Sequence, residues 1–236
     1  KREWFDTYET SRAQLLNTLA RLHQQMSGNE QNGQEPLKSF LLSDQTVILE
    51  DIAAVRPDLL TMFVIYNAGG RLGIGPWYIT TNEQLVSGES LIRNLLAAKA
   101  DAGRYGLKLS PIAYTPETTS HIAQLPQILR EFDIDTAFMR HGAADANIPF
   151  RWQAPDGSSV LLVNYPMQQS WPNNVPGMLA VSENIQQQKA VRPDGPFIWL
   201  FHSAGASRSL WEGIPLVQRQ TGMNLVESNL DYYIQA

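Results

Sequence analysis

Three of the four histidines of this chain, His121, His141 and His202, fall near the carboxyl ends of expected strands, and Glu117 stands four residues before His121. An imidazole titrates near neutrality and also ligates divalent metals, so this set has the residue types for proton transfer or for a metal site. Only Glu117 and His121 have a ligand-like spacing, and a loop is as much expected there as a helix, so partly exposed, hydrogen-bonded histidines are the other reading. Glu117 also has a non-chemical account, since an acid in the first turn of a helix interacts favourably with the helix dipole. The second chemical feature is aromatic. Trp77 and Tyr78 form a sugar-sized pair directly after a short extended run, and the polar loop Thr80, Thr81, Asn82, Glu83 follows them. The same residue types also serve as core aromatics with a wet polar tip.

These side chains must be positioned by strands and helices, and the pattern alternates the two. Leu15, Leu16, Leu19, Leu22 and Met26 share one face of a helix over Arg2 to Gln25. Lys38 to Leu42 is a short strand, and Ser43-Asp44-Gln45-Thr46 is expected to cap a helix from Val47 to Val55. Pro57 opens the helix Asp58 to Tyr66, which Gly69 and Gly70 close by taking left-handed backbone. Arg71 to Ile74 is the next strand, and Gly88, Glu89 and Ser90 lead into a helix carrying Leu91, Ile92, Leu95 and Leu96. The strand Leu107 to Tyr114 runs into Pro116 and then a helix from Ile122 to Phe132. Asp135 to Arg140 is a further strand, and Phe150 to Tyr165 a hairpin around Pro155-Asp156-Gly157-Ser158, where Asp156 is a turn former. Met167 to Gly177 reads as a loop and Leu179 to Ala190 as a polar helix. Phe197 to Phe201 is an apolar strand, followed by the turn His202 to Ser207, a helix Leu210 to Gln220 bent at Pro215, a last strand Asn224 to Glu227 and a helix Asp231 to Gln235. Roughly six parallel strand-helix units with one hairpin predict an open or barrel-like α/β domain, with its binding face at the carboxyl ends of the strands.

Composition limits the partners. With 236 residues, 43% hydrophobic and 17% charged, the chain has material for one sizeable core. A net charge of −5 without basic runs argues against nucleic acid or an anionic membrane surface and fits a neutral ligand better. The absence of cysteine excludes disulfides, thiolate metal sites and cysteine nucleophiles. No apolar run reaches membrane-spanning length, and KREWFDTYET lacks the regions of a signal peptide, so a cytoplasmic location is expected. The start is expected to be cut from a longer protein.

The run GPWYITTNEQLVSGESLIRNLL, together with HIAQLPQILREFDIDTAFMR and the hairpin string around Pro155-Asp156-Gly157-Ser158, resembles the glycoside hydrolase family 38 α-mannosidases. The resemblance covers nearly the whole chain. It implies the seven-stranded β/α domain that forms the amino-terminal part of those enzymes, with the first strand missing and residues 1–236 as a single domain. It also implies retaining hydrolysis of α-mannosides and a zinc ion. KREW aligns with the end of the signature H-x-H-W-D-R-E-W, which puts Lys1 on a zinc-binding aspartate. Trp4 falls on an aromatic that stacks on the sugar or covers the barrel mouth. Glu117 falls on the aspartate of P-D-x-F-G-H, the nucleophile and a zinc ligand, with Thr119 and Ser120 replacing Phe-Gly and His121 retained. Arg140 is retained and His141 is new at W-R-G. Where relatives carry an aspartate that serves as acid/base, the chain has the carboxylate-free turn His202 to Ser207. The relatives' turn L-D-G-Q reads Leu42-Ser43-Asp44-Gln45 here, and Asn82 replaces an aspartate before Glu83.

The resemblance thus implies Glu117 as the nucleophile and Trp4, Trp77, Tyr78 and Arg140 as sugar-binding residues; His141 and His202, near the same strand ends, are expected to join them, and no zinc is expected to be held by this chain. An α-mannoside or other carbohydrate is the expected partner. Homo-oligomerisation, or contact with further domains of the same protein, is expected at an edge left open by a missing first strand. With the acids replaced, impaired hydrolysis is expected, or a catalytically silent sugar-binding relative, or a structural segment of a larger barrel.

Overall fold

The structure is a computed structural model that describes residues 7–28, 36–42, 44–115, 120–139, 149–164, 175–191 and 209–235. The first helix, α1 (Tyr8–Ser27), is capped by Thr7, whose hydroxyl accepts the Thr10 N–H at 3.2 Å, and it buries the expected stripe Leu16, Leu19, Leu22 and Met26. Strand β1 (Phe40–Leu41) leads to α2 (Ile48–Val55), and α3 (Pro57–Ala68) follows with Pro57 in its first turn. Of the two closing glycines only Gly70 is left-handed, at φ 70°. Strand β2 (Leu72–Gly73) pairs parallel with β1, and their side chains join α1, α2 and α3 in one core around Leu49, Ile52, Phe63 and Ile74.

The second part is built on a four-stranded sheet. Helix α4 (Gly88–Tyr105) starts at the Ser87 cap and stops at Gly106, left-handed at φ 75°. Strands β3 (Ile112–Thr115), β4 (Thr136–Met139), β5 (Phe150–Gln153) and β6 (Ser159–Asn164) lie in the order β3-β4-β6-β5, parallel except for the β5-β6 hairpin. One face carries Ala113, Ala137, Met139 and Leu162 against α4 and α5 (Leu125–Glu131); the other carries Ile112, Phe138 and Val163 against Leu230. Both faces are covered, as parallel strands require. Helices α6 (Val175–Val191) and α7 (Ser209–Thr221) pack together through Val181, Ile185 and Val217, and α8 (Leu230–Gln235) ends the described chain. Among the described residues no helix is long and apolar enough to cross a membrane.

The α/β class is as expected. Six strands stand among the described residues, in two sheets; the expected strand Phe197 to Phe201 lies outside them. Three expectations are corrected. Residues 224–227 form no strand, because Glu227 reaches β1 with its side chain instead, its Oε1 accepting Lys38 N–H at 2.6 Å and Ser39 N–H at 3.1 Å. Strand β3 begins at Ile112 rather than Leu107, since the backbone before it is engaged elsewhere: Leu107 N–H closes α4, Lys108 N–H goes to the Asn67 side chain, and Ser110 N–H to the Ile74 carbonyl. The run Ser43-Asp44-Gln45-Thr46 does not supply the cap of α2, whose N-cap is Val47 without a side-chain bond, and the Asp44 carboxylate accepts the Thr80 hydroxyl.

Candidate functional site

The carboxyl ends of β1, β2 and β3 lead into segments that hold one another. Beyond the short β1-β2 pairing, Trp77 N–H donates to the Asp44 carbonyl at 3.0 Å, and the Trp77 and Tyr78 carbonyls accept Thr46 and Val47 N–H at 2.8 and 3.0 Å. Gly75 makes the approach to β3 possible. It sits at φ 86°, and a Cβ there would stand 2.7 Å from Leu109 Cδ2. The loop after β2 is then fastened to α4 by Asn94, whose Oδ1 accepts Tyr78 N–H at 2.8 Å and whose Nδ2 donates to the Ile79 carbonyl at 2.7 Å.

Trp77 and Tyr78 leave this loop in different directions. The Trp77 indole packs among Leu91, Leu95, Ala113 and Leu125 and is 3% exposed, so its faces are in the core rather than open to solvent. Its Nε1 is buried and has no hydrogen-bond partner among the described residues. Tyr78 is half-buried, and its hydroxyl donates to Glu50 Oε1 on α2 at 3.0 Å. Burial, and then the Glu50 carboxylate beside it, push the Tyr78 phenol above its usual range.

Below the Trp77 edge is a cavity of about 10 Å³ lined by Trp77, Thr80, Thr81, Glu83, Leu91 and Thr115. A space of that size matches one water, so a sugar ring cannot enter it as it stands. Its wall includes the residue that sequence reasoning passes over. Glu83 is 3% exposed, and both its oxygens are used: Oε1 meets His121 Nδ1 at 2.9 Å, and Oε2 accepts Ile122 N–H at 3.1 Å. The His121 ring stands edge-on to Trp152, with centroids 6.0 Å apart, and its Nε2 is buried without a partner among the described residues. Glu83 therefore ties the loop after β2 to the segment after β3. The only sequence signal for it is that the acidic pair of the relatives survives in this half, at Glu83, while Asn82 replaces the other. Asn82 is exposed and accepts Gln84 N–H at 3.0 Å within its own turn.

Of the residues expected at the site, the structure brings Trp77 and His121 to the same group of strand ends: Trp77 lines a cavity together with Glu83, and His121 meets Glu83 directly. Tyr78 is drawn toward α2. Lys1, Trp4, Glu117, Arg140, His141 and His202 lie outside the described residues. Asp156 serves the hairpin turn, its two oxygens accepting Ser158 N–H at 3.0 Å and Ser158 Oγ–H at 2.7 Å. Among the described residues no three His, Asp or Glu side chains come together as a metal site.

Parallel strands whose following loops converge on a buried acid-imidazole pair define an α/β domain with its candidate site at the strand carboxyl ends. The family model described as the glycosyl hydrolases family 38 N-terminal domain matches residues 2–211, and the chain belongs to that family. A relative from Halalkalibacterium halodurans named "Putative mannosylglycerate hydrolase" is 33% identical over 174 residues, covering 68% of this chain and 19% of its own length. An α-mannosidase from Enterococcus faecalis V583 superposes with a TM-score of 0.80 at 22% identity, over 99% of this chain and 27% of that protein. A 4-α-glucanotransferase from Thermococcus litoralis shares the fold at a TM-score of 0.62 and 13% identity, over 97% of this chain and 38% of its own. The chain thus spans about a fifth of the curated relative that it matches and about a quarter of the mannosidase.

Proposed function

We propose that this chain is the carbohydrate-recognising β/α domain of a glycoside hydrolase acting on α-mannosides, with turnover impaired or lost. The observation that supports it most directly is the convergence of the loops after β2 and β3 on the Glu83–His121 contact of 2.9 Å, at the end of the strands where such domains bind their ligands. The relative named for mannosylglycerate hydrolysis supports a mannosyl group as the ligand. In this reading the described sheets are part of a seven-stranded barrel, and further domains of the same protein complete the enzyme.

Impairment follows from residue chemistry. In the retaining mechanism a carboxylate attacks the anomeric carbon while an acid protonates the leaving oxygen, and the two groups stand about 5–5.5 Å apart. Glu117 at the nucleophile position is chemically able to attack, but its extra methylene displaces the carboxylate from a geometry with little tolerance. The turn His202 to Ser207 supplies an imidazole where the acid is needed and no carboxylate. By the resemblance Lys1 falls on a zinc-binding aspartate, and an ammonium has no lone pair to give, so this reading assigns the chain no zinc. These groups act as a unit, so their combined replacement removes most of the rate enhancement.

The test is an aryl α-mannoside assay with a parallel titration of methyl α-mannoside. Binding without release of the aryl group is expected. Turnover that Glu117→Gln abolishes would overturn the impairment, and absence of any mannoside binding would overturn the recognition.

A further inference from the structure

The small cavity beside Trp77 stands where the strands end, and its wall is uneven. Trp77, Glu83, Leu91 and Thr115 are 3% exposed or less, whereas Thr80 and Thr81 are half-buried. The two half-buried threonines therefore form its solvent side. Thr115, the last residue of β3, belongs to its buried wall.

The polarity of the cavity follows from where the hydroxyl protons go. Thr115 Oγ1 donates to the Phe138 carbonyl at 3.4 Å, and the Thr80 hydroxyl donates to the Asp44 carboxylate. A hydroxyl has one proton and two lone pairs, so these two offer only lone pairs to anything else. Thr81 is different. Its hydroxyl makes no hydrogen bond among the described residues and can take either role. The lining thus suits an O–H donor of about the size of one water, while a bare anion has no proton to give these lone pairs. The wall is also held in place. Asp44 anchors Thr80, Glu83 Oε2 accepts Ile122 N–H at 3.1 Å, and Asn94 Nδ2 donates to the Ile79 carbonyl at 2.7 Å. Thr81 stands between anchored residues, so binding has little left to order.

We propose that this cavity is a hydroxyl pocket of the carbohydrate site: it takes one O–H group of a sugar whose ring stays outside, and the Thr81 hydroxyl binds that group. For the identity of the sugar this rests on the proposed mannoside recognition. One hydroxyl is the part of a sugar that a one-water space can hold.

The experiment titrates methyl α-mannoside and its monodeoxy forms into the wild type, Thr81→Val and Thr81→Ser, and follows carbon-13 methyl shifts in threonine-labelled wild type. Valine keeps the shape without the hydroxyl, and serine keeps the hydroxyl. Affinity for the parent sugar should fall roughly threefold to tenfold in Thr81→Val, the loss of one hydrogen bond, and stay near wild type in Thr81→Ser. One monodeoxy form should bind the wild type more weakly by a similar factor and bind Thr81→Val no worse than wild type, because the group it lacks is the one the pocket holds. The Thr81 and Thr115 methyls should shift on binding. Wild-type binding that leaves both methyls unmoved would overturn the pocket, needs no variant, and leaves the recognition standing. The pocket is equally overturned by a Thr81→Val that binds as wild type does, or one that loses affinity alike for the parent and every monodeoxy form, the sign of a resident water or a damaged loop. A wild type that takes none of these sugars fails at the recognition itself, and the pocket falls with it.

Discussion

Single side chains hold this fold together where the strands are too short to do so. Asn67 is the clearest case. It is 9% exposed at the end of α3; its Nδ2 donates to the Leu72 carbonyl at 2.9 Å and the Lys108 carbonyl at 3.0 Å, and its Oδ1 accepts Lys108 N–H at 2.7 Å. One amide thus joins α3, β2 and the approach to β3. Replacing it with Ala leaves three backbone groups without these partners, so Asn67→Ala is expected to lower the unfolding free energy by about 2–4 kcal/mol, read by urea denaturation. A loss under about 1 kcal/mol would mean that water substitutes for the amide. The sequence expects Gly69 and Gly70 to close this helix, and α3 does end there, with Asn67 still inside its last turn. That it also reaches Lys108, 41 positions on, is a fact of tertiary approach that no local pattern encodes. Glu83 and Asp44 are alike in this respect: their types are legible, but their partners His121 and Thr80 are brought to them by the fold.

Elements are legible where their ends carry backbone chemistry. Ser87 before α4, Gly106 after it and Pro57 at the start of α3 all do what their residue types dictate. The short strands are less so, because β1 and β2 pair over only two residues and side chains decide the path of the chain beyond them. Helix α4 also carries a group that its apolar stripe does not explain. Asp101 is 4% exposed, its Oδ2 lacks a partner among the described residues, and its Oδ1 is 3.6 Å from Arg104 on the same helix. Burial first, and then Glu50 from α2, push this carboxyl above the usual carboxylate range, against the opposing pull of Arg104. A carboxyl raised in the folded state binds its proton more tightly there than in the unfolded chain. Its contribution is therefore favourable below the unfolded value, near 3.9, and is lost as pH rises through the folded one. Asp101→Asn does not ionise. Its melting temperature relative to wild type should thus climb as pH is raised from about 4 to 7, and a difference that stays flat or falls across this range would contradict the burial cost.

At the scale of the whole molecule, a late segment of the described chain closes on β1. The segment after α7 runs past the start of this strand, and Glu227 accepts two N–H groups there, 189 and 188 positions away in sequence. Ser39 Oγ–H donates to the Ser228 carbonyl at 2.8 Å, and Asn229 Nδ2 donates to the Gly70 carbonyl at 3.3 Å. The sequence predicts a strand over Asn224 to Glu227, but a carboxylate satisfies two donors of the β1 approach that a strand would otherwise pair. The consequence is a long-range closure in which the Glu227 carboxylate makes two of the four hydrogen bonds named. Hydrogen bonds to a charged group contribute about 1.5–3 kcal/mol, so Glu227→Ala should cost about that much, and Glu227→Gln, which keeps an acceptor oxygen without the charge, distinctly less. Fluorescence from the tryptophans and far-ultraviolet dichroism should report one coincident unfolding transition in the wild type. In Glu227→Ala the transition should come at lower urea, with amide exchange at Lys38 and Ser39 accelerated more than within β4. If both variants unfold as wild type does, the closure is carried by α8 and its Leu230 contact with Phe138 and Val163 rather than by the carboxylate.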